Sequence, residues 1–471
     1  MTRRGLALLA LLLLPACAPD AARRGDTVLF ASGADLQSIN PLFTVHPLAR
    51  QVQRYVLLTT LVRRDSTLAI VPYLARRWTW DAGGRRLTMN LAGAPRWHDG
   101  VPTTAADAAW TLERARDPAT GYPRREDLAT LETVAAPDDT TLVLEFAAAP
   151  GTMPDVLTDL AILPRHLLDT VPPARLRQAA WQEAPVGNGP FRFVAHEPNR
   201  RWVFERNPEF PAALGGPPVL ARLVIAVVDE PMTKLAALAS GELDFAGIQP
   251  AHATFVARDP ALVVRDYPLL LTTGIVFNAR RAPFADPMAR RAVSAALDRA
   301  ALVSGFTYGY GSVALGPLPP ELAPAPAPGG GTSAASAPGL EFELLTVGSG
   351  EAALEQMVQA QLAARGITAR IRQLDLSAYL DRVYGSRHDF EAAVVGTTGD
   401  LGLGYLRPLA ALSGLEAPAD TASLLSLFRE AVPVAFIYHA RGLQGVNRRV
   451  RGVELGLRGE LASVARWSVT P

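Results

Sequence analysis

Apolar and polar positions alternate along several short segments of the chain, and these segments predict β-strands. Residues 86–91 and 141–146 alternate with a period of two, which indicates half-buried strands. Apolar and β-branched residues dominate 27–31, 223–228 and 269–278, and these segments are predicted as strands as well. Strands are therefore expected along most of the chain.

Segments with helical periodicity lie between these strands. Apolar residues recur with helical spacing over residues 105–112, and Thr104 and Asp107 have the spacing of a capping box in front of them. Residues 51–61 show the same periodicity and are predicted to be helical. Farther along, Asp286 is predicted to cap a helix that has proline at its first position.

The second half of the chain predicts a strand–helix–strand unit. Residues 342–347 and 367–374 have strand character, and residues 352–364 between them have helical character. Such a unit is typical of an α/β lobe. The stretch 316–339, which contains an Ala-Pro run and three consecutive glycines, is predicted to be a flexible surface loop.

Length and composition indicate a packed protein with more than one domain. The chain has 471 residues, of which 49% are hydrophobic and 19% are charged, and one core rarely grows to this size. The formal net charge is +1, so the chain has no basic surplus for binding nucleic acid. The seven histidines are scattered without metal-ligand spacing, so we expect no metal and no cofactor.

The single cysteine, Cys17, follows a segment that looks like a secretion leader. Arg3 and Arg4 precede an apolar run over residues 6–14, which is too short to span a membrane. One cysteine excludes an intrachain disulfide and a cysteine metal cluster. Residues 14–17 resemble a lipobox, which implies an acylated cysteine and an exported, membrane-anchored lipoprotein in the periplasm or at the cell surface. An ordinary cleaved secretory signal is the alternative.

Three longer segments carry distinctive motifs. Residues 97–108 read Trp-His-Asp-Gly-Val-Pro-Thr-Thr-Ala-Ala-Asp-Ala, which predicts a turn and a capped helix, so His98 and Asp99 are interpreted as turn residues. Residues 185–193 contain Gly-Asn-Gly-Pro-Phe, whose glycines permit backbone conformations closed to other residues. Residues 283–299 begin with Pro-Phe-Ala-Asp-Pro and end with Leu-Asp-Arg.

Together these motifs resemble the oligopeptide/dipeptide-binding family of ABC-importer substrate-binding proteins, solute-binding protein family 5. The resemblance implies an α/β, two-lobed periplasmic-binding-protein-like fold with a hinge cleft, in which the first lobe is extended by an extra subdomain. The expected divisions are a lipoprotein signal and lipobox over 1–17, lobe I over 26–45, 186–272 and 436–471, an additional subdomain over 46–185, and lobe II over 273–435 with the loop 316–339.

The resemblance also implies a ligand site. Residues 389–400 resemble the family's strand end and loop that face the cleft, and Asp400 matches the aspartate that pairs with a peptide's α-ammonium group. A loop or cap aspartate is the alternative for this residue. The residues expected to contact ligand are Asp400, Thr398, Thr397 and Gly396 from this segment, and Val45 and His46 from a loop near the start of lobe I.

The implied function is capture of peptides or similar small solutes by a monomer, which delivers them to an ABC permease and its ATPase. Binding of a nickel chelate, haem, an opine or a sugar is the alternative within the same family. A sensor or scaffold without transport is a further alternative. An enzyme is not expected, because the sequence contains neither a Gly-x-Ser-x-Gly elbow nor a His-Glu-x-x-His helix.

Overall fold

The computed structural model describes residues 25–44, 46–91, 95–323, 337–399, 401, 403–418 and 420–470. The strands of these residues are β1 (Thr27–Ser32), β2 (Val62–Arg64), β3 (Ile70–Pro72), β4 (Ala75–Trp80), β5 (Arg86–Leu91), β6 (Leu131–Ala135), β7 (Thr141–Phe146), β8 (Phe191–Glu197), β9 (Arg201–Arg206), β10 (Arg222–Val227), β11 (Phe245–Gly247), β12 (Leu262–Phe277), β13 (Gly311–Val313), β14 (Glu341–Val347), β15 (Thr368–Leu374), β16 (Ala392–Thr398), β17 (Val434–Asn447), β18 (Val450–Arg451) and β19 (Ser468–Val469).

The α-helices of the same residues are α1 (Pro47–Val52), α2 (Ala105–Arg116), α3 (Val156–Asp159), α4 (Arg165–Leu168), α5 (Pro231–Ala239), α6 (Ala253–Arg258), α7 (Pro287–Ala296), α8 (Arg299–Phe306), α9 (Ala353–Ala363), α10 (Leu376–Tyr384), α11 (Leu406–Ser413) and α12 (Thr421–Glu430). The strands predicted from alternation and apolar runs are β1, β5, β7, β10 and β12, and the predicted strand–helix–strand unit is β14, α9 and β15. These predictions and the α/β class are confirmed. Of the predicted loop 316–339, residues 324–336 lie outside the described part.

One large mixed sheet runs through the molecule in the order β15-β14-β16-β12-β17-β11-β1-β10-β9-β8, with β13 also paired to β17. At one end β14 is parallel to β15 and β16, and at the other β1 is parallel to β10 and β11. The long strands β12 and β17 pair antiparallel in the middle and belong to both halves. These two strands therefore connect the two lobes.

The pairing of β12 with β17 is interrupted where the halves meet. Pro268 pairs with Arg441 and Thr272 pairs with His439, so the three leucines 269–271 of β12 lie opposite Ala440 alone. A bulge of this kind disrupts the ladder and bends the strand locally. The register break is therefore a natural position for a hinge.

Each half has its own hydrophobic core. Phe30 of β1 belongs to the same core as Trp97 and Leu144, so lobe I and the segment 46–185 share one core. In the other half, Phe342 and Phe390 belong to separate cores on the two faces of the lobe II sheet. Because the lobes have separate cores and are joined by two strands, one lobe can rotate against the other without opening a core.

The capping box at the start of α2 forms as predicted. The backbone N–H of Thr104 donates to Asp107 Oδ2 at 2.8 Å. The buried Asp107 carboxylate also accepts from Trp97 Nε1 at 3.4 Å and from the backbone N–H of Arg165 at 2.9 Å. This carboxylate therefore holds three segments of the chain together.

The helix predicted over residues 51–61 is wrong in its bounds. It begins at Pro47, becomes a π-turn over Gln53–Leu57 and ends there. The helix stops because the next residues pair with another segment. The carbonyl of Leu57 accepts from Gly189 N at 2.8 Å, and Thr59 N donates to Asn188 Oδ1 at 2.9 Å.

The glycines of this second segment have a different purpose from the one predicted. Neither Gly187 nor Gly189 has a positive φ. A Cβ added to Gly187 would lie 2.0 Å from the carbonyl oxygen of Leu57, and one added to Gly189 would lie 2.5 Å from the carbonyl carbon of Leu57. These glycines are therefore needed for close approach of two backbones.

Candidate functional site

A cavity of about 700 Å³ lies at the hinge. Its wall comes from α1 and β2 on one side, from the segment 454–466 on another, and from the hinge leucines 269–271 with the end of β16 on a third. Both lobes therefore contribute to it. Its volume is within the range of roughly 300–1,000 Å³ that is usual for small-molecule sites.

The structure brings some of the expected ligand residues to this cavity. Thr398 lies on its wall. Thr397 and Gly396 lie farther back on β16, where they pair with Thr272 and Thr273 of β12. Val45, Asp400 and Cys17 lie outside the described residues.

His46 lies next to Pro47, which lines the cavity. Its Nδ1 accepts from Ala49 N at 3.3 Å, so the side chain caps α1. Burial lowers the pKa of His46, and the charge of Asp35 partly opposes this effect. The imidazole is therefore neutral when it caps the helix.

Three arginines converge on one buried carboxylate beside the cavity. Asp159 at the end of α3 forms ion pairs with Arg50, Arg54 and Arg124. Burial by itself would raise the pKa of Asp159, but the positive charges, that of Arg54 first, lower it to about 2. Asp159 is therefore ionised at neutral pH and fixes the arginine side chains that line the wall.

A chain of hydrogen bonds connects the hinge strand to the C-terminal segment. The hydroxyl of Tyr267 in β12 donates to Glu460 Oε1 at 2.5 Å, and Gln51 Nε2 donates to Glu460 Oε2. Burial raises the pKa of Tyr267, and the charge of Glu460 raises it further. The Tyr267 ring lies against Gly442 of β17, where an added Cβ would be 2.2 Å from the ring carbon Cζ. This packing couples the hinge to the cavity wall.

Arg63 of β2 lies over a buried aromatic ring on the same wall. Its guanidinium carbon is 4.6 Å from the centroid of Tyr73. Tyr73 packs with Phe210 and Leu214 in a small apolar cluster, and burial raises the pKa of Tyr73 to about 12. The phenol is therefore neutral and offers its ring face to the cation.

Sequence reasoning missed Arg63, Tyr267 and Glu460. Arg63 belongs to a stretch that resembles the family, yet nothing in the pattern distinguishes it from the arginine beside it. Glu460 meets Gln51 across 409 positions, so no local signal could have found it.

His98 and Asp99, in the motif at residues 97–108, contact other segments of the protein. His98 Nδ1 accepts from Gly187 N at 3.3 Å, and His98 Nε2 lies 3.1 Å from the carbonyl oxygen of Gly189. Burial lowers the pKa of His98 to about 4, so the ring is neutral and donates to that carbonyl. Asp99 Oδ2 is 2.7 Å from His166 Nε2. These contacts place both residues at a junction of segments, in agreement with the interpretation as turn residues.

Two further observations concern metal ligands and membrane-spanning helices among the described residues. No group of three or more His, Cys, Asp or Glu side chains in this part of the chain is arranged to hold a metal ion. None of the helices in the described ranges has the length and apolar character required to cross a membrane.

The chain is similar to known proteins along most of its length. A sequence profile of the bacterial extracellular solute-binding proteins, family 5 Middle, matches residues 69–410. A putative ABC transporter peptide-binding protein of Brucella ovis is 30% identical over 251 residues, which are 53% of this chain and 46% of that protein, so the chain spans about half of this relative's length. Di/tripeptide-binding protein 2 of Pseudomonas aeruginosa is 24% identical over 429 residues, 82% of this chain and 77% of that protein.

A solved structure shows the same fold. The oligopeptide-binding protein AppA from Bacillus subtilis, in complex with a nonapeptide, has a TM-score of 0.72 at 20% identity and covers 95% of this chain and 99% of its own. The predicted two-lobed α/β fold is confirmed by this likeness. The profile match includes all three motifs that carried the resemblance in the sequence. The chain therefore belongs to the bacterial extracellular solute-binding proteins of family 5.

Proposed function

We propose that this protein is an extracytoplasmic solute-binding protein that captures short peptides between its lobes and delivers them to an ABC importer. The observation that carries the proposal is the cavity of about 700 Å³, whose wall includes the hinge bulge and residues of both lobes. Two of the relatives reported above are named for peptide binding, which supports a peptide ligand. The permease and ATPase of the importer are the proposed partners.

The proposed mechanism is closure without chemistry. A ligand that touches both lobes stabilises the closed form through contacts that the open form lacks. The permease then distinguishes the loaded protein from the empty one by its shape. No bond is made or broken in this cycle, and no catalytic group is assigned.

Asp400 remains the proposed partner of the peptide's α-ammonium group. Thr398, two positions before it in the sequence, lies on the cavity wall. Thr397, Gly396, Val45 and His46 are proposed to contribute to the ligand surface around it. The backbone of an extended peptide is commonly held by hydrogen bonds to a strand, which tolerates many side chains.

We further propose that the protein is a monomer anchored to the membrane through acylated Cys17. Mass spectrometry of the protein extracted from membranes tests the anchor. The expected result is an N-terminal peptide that starts at Cys17 and carries fatty acids, and a Cys17→Ser variant is expected in the soluble fraction. An unmodified Cys17 would overturn the anchor and leave solute capture untouched.

Native mass spectrometry of protein purified without refolding tests the ligand class. The expected result is a set of co-purifying masses that match short peptides and disappear after partial unfolding and dialysis. Titration calorimetry then compares peptides with nickel–histidine, an opine and a saccharide. Binding of one of these three, without binding of any peptide, would contradict the proposal.

A further inference from the structure

The arginines on the cavity wall differ in whether they form ion pairs. Within the described residues Arg63 forms no ion pair, whereas the other arginines of the wall do. Arg50 and Arg54 pair with Asp159, Arg64 with Asp155, and Arg458 and Arg466 with Glu454. Arg63 is therefore the wall arginine whose charge no ion pair of the described residues compensates, whereas the wall carboxylates Asp65 and Glu460 accept hydrogen bonds from neutral groups.

The acidic residue nearest to Arg63 in the sequence does not provide its counter-charge. Asp65 lies two positions after Arg63 and also lines the cavity. Its Oδ1 accepts from Thr67 N at 2.8 Å and from Ala69 N at 3.1 Å, so this carboxylate holds its own turn. No ion pair joins it to Arg63 among the residues that the structure describes.

Stacking leaves the Arg63 guanidinium available to a ligand. The group lies over the Tyr73 ring, 4.6 Å from its centroid, and the residue is exposed. No hydrogen bond uses the guanidinium N–H donors of Arg63 within the described residues, and such donors match the two oxygens of a carboxylate. The buried Tyr73, Phe210 and Leu214 beneath it form an apolar floor, which strengthens such a pair when water is displaced.

We propose that Arg63 is a specificity-determining residue that binds a carboxylate of the ligand. The inference rests on the proposed function and makes it more specific: ligands of this cavity carry a free carboxylate, which the stacked guanidinium holds by two parallel hydrogen bonds. The C-terminus of a peptide and an acidic side chain are two sources of this group, and the experiment distinguishes them.

Titration calorimetry of the full chain tests the inference with trialanine and trialanine amide. The wild type is expected to bind trialanine at least about tenfold more tightly than the amide, as for other desolvated charge pairs. Arg63→Gln is expected to weaken trialanine binding by a similar factor and to bind the amide as the wild type does. Arg63→Lys keeps the positive charge but lacks the planar pair of N–H donors, and its affinity for trialanine is expected to lie between those of the wild type and Arg63→Gln.

A second ligand pair separates the two sources of the carboxylate. Ala-Glu-Ala amide and Ala-Gln-Ala amide differ by a side-chain carboxylate alone. If Arg63 discriminates this pair and ignores the C-terminal amide, the side chain is the source. Arg258→Gln, an exposed arginine of α6 outside the cavity, is the matched control and is expected to leave all four affinities unchanged.

The outcomes separate this inference from the proposed function. Equal loss of affinity for trialanine and its amide in Arg63→Gln would indicate a structural role and overturn the carboxylate site. Wild-type protein that binds all four peptides equally would also overturn it, while solute capture would stand. Wild-type protein that binds none of the four would contradict both.

Discussion

Two buried carboxylates hold segments of the chain together, and one of them lies on the cavity wall. Asp107 accepts hydrogen bonds from Trp97, Thr104 and Arg165, which belong to the turn, the helix start and a distant loop. Asp159 instead neutralises arginines that line the wall. Asp107 is therefore expected to stabilise the fold through its hydrogen bonds, and Asp159 is expected to make stability depend on pH as well.

Replacing Asp107 with alanine is expected to lower the free energy of unfolding by about 2–4 kcal/mol, because buried donors lose their acceptor. Asp107→Asn keeps one carbonyl oxygen and is expected to lose about half as much. Urea denaturation measures both changes. Glu113→Gln on the outer face of the same helix is the control. An Asp107→Ala variant as stable as the wild type would show that the network does not contribute.

The lowered pKa of Asp159 predicts that the protein loses stability in acid. The folded-state pKa of about 2 lies below the ordinary value of 3.8, so the ionised form is favoured in the folded protein. This stabilisation is present above pH 4 and is lost as the pH falls from about 4 towards 2. The wild type is expected to lose roughly 2 kcal/mol more over this range than Asp159→Asn, which cannot titrate.

Urea denaturation at a series of pH values gives the free energy of unfolding of each protein as a function of pH. The slopes of these two curves, for the wild type and for Asp159→Asn, are then compared. The asparagine variant removes the charge that Arg50, Arg54 and Arg124 share, although Arg124 keeps its ion pair with Asp127, and is therefore expected to be less stable at neutral pH. That offset does not affect the comparison of slopes. Parallel pH profiles for the two proteins would contradict the role assigned to Asp159.

The wall of the cavity depends on how the short helix α1 ends. The helix α1 passes into a π-turn, and the chain then leaves in an extended conformation. Gly189 and Asn188 hydrogen-bond to its last residues, and Gly187 packs closely against the same stretch. This contact fixes the position of β2, which begins at Val62 and carries Arg63 into the cavity.

Substituting alanine for Gly187 tests this junction. The new Cβ would lie 2.0 Å from the carbonyl oxygen of Leu57, so the two backbones must separate. The expected cost is about 2–4 kcal/mol of unfolding free energy, measured by urea denaturation, because overpacking against a backbone cannot be relieved by a rotamer change. Gly350→Ala, where an added Cβ meets nothing within 4 Å, is the control. Equal stabilities of the two variants would contradict the account of this contact.

Helix caps, which depend on neighbouring residues, could be predicted from the sequence. Contacts between segments that are distant in the sequence could not. The caps at Thr104 and Asp286 follow from side chains within three positions, and both form as predicted. The end of α1 is decided by Gly189, more than a hundred positions away, so periodicity alone extended that helix too far. Arg63 becomes a candidate ligand residue only when the pairing of its neighbours is known. The expected role of Asp400 stays a prediction.

The two lobes have separate cores and are joined by β12 and β17. The register break at residues 268–272 interrupts the ladder between these strands, and residues 268–271 of it line the cavity. A ligand that contacts the leucines 269–271 therefore lies on the hinge itself. Binding and domain closure should be coupled for this reason.

Small-angle X-ray scattering with and without saturating peptide tests this coupling most directly. The protein is expected to show a smaller radius of gyration when a peptide that binds in calorimetry is added, because the lobes approach each other. Trialanine amide at a concentration where it does not bind is the control and should leave the curve unchanged. An unchanged radius of gyration with bound peptide would contradict closure of two hinged lobes over a ligand.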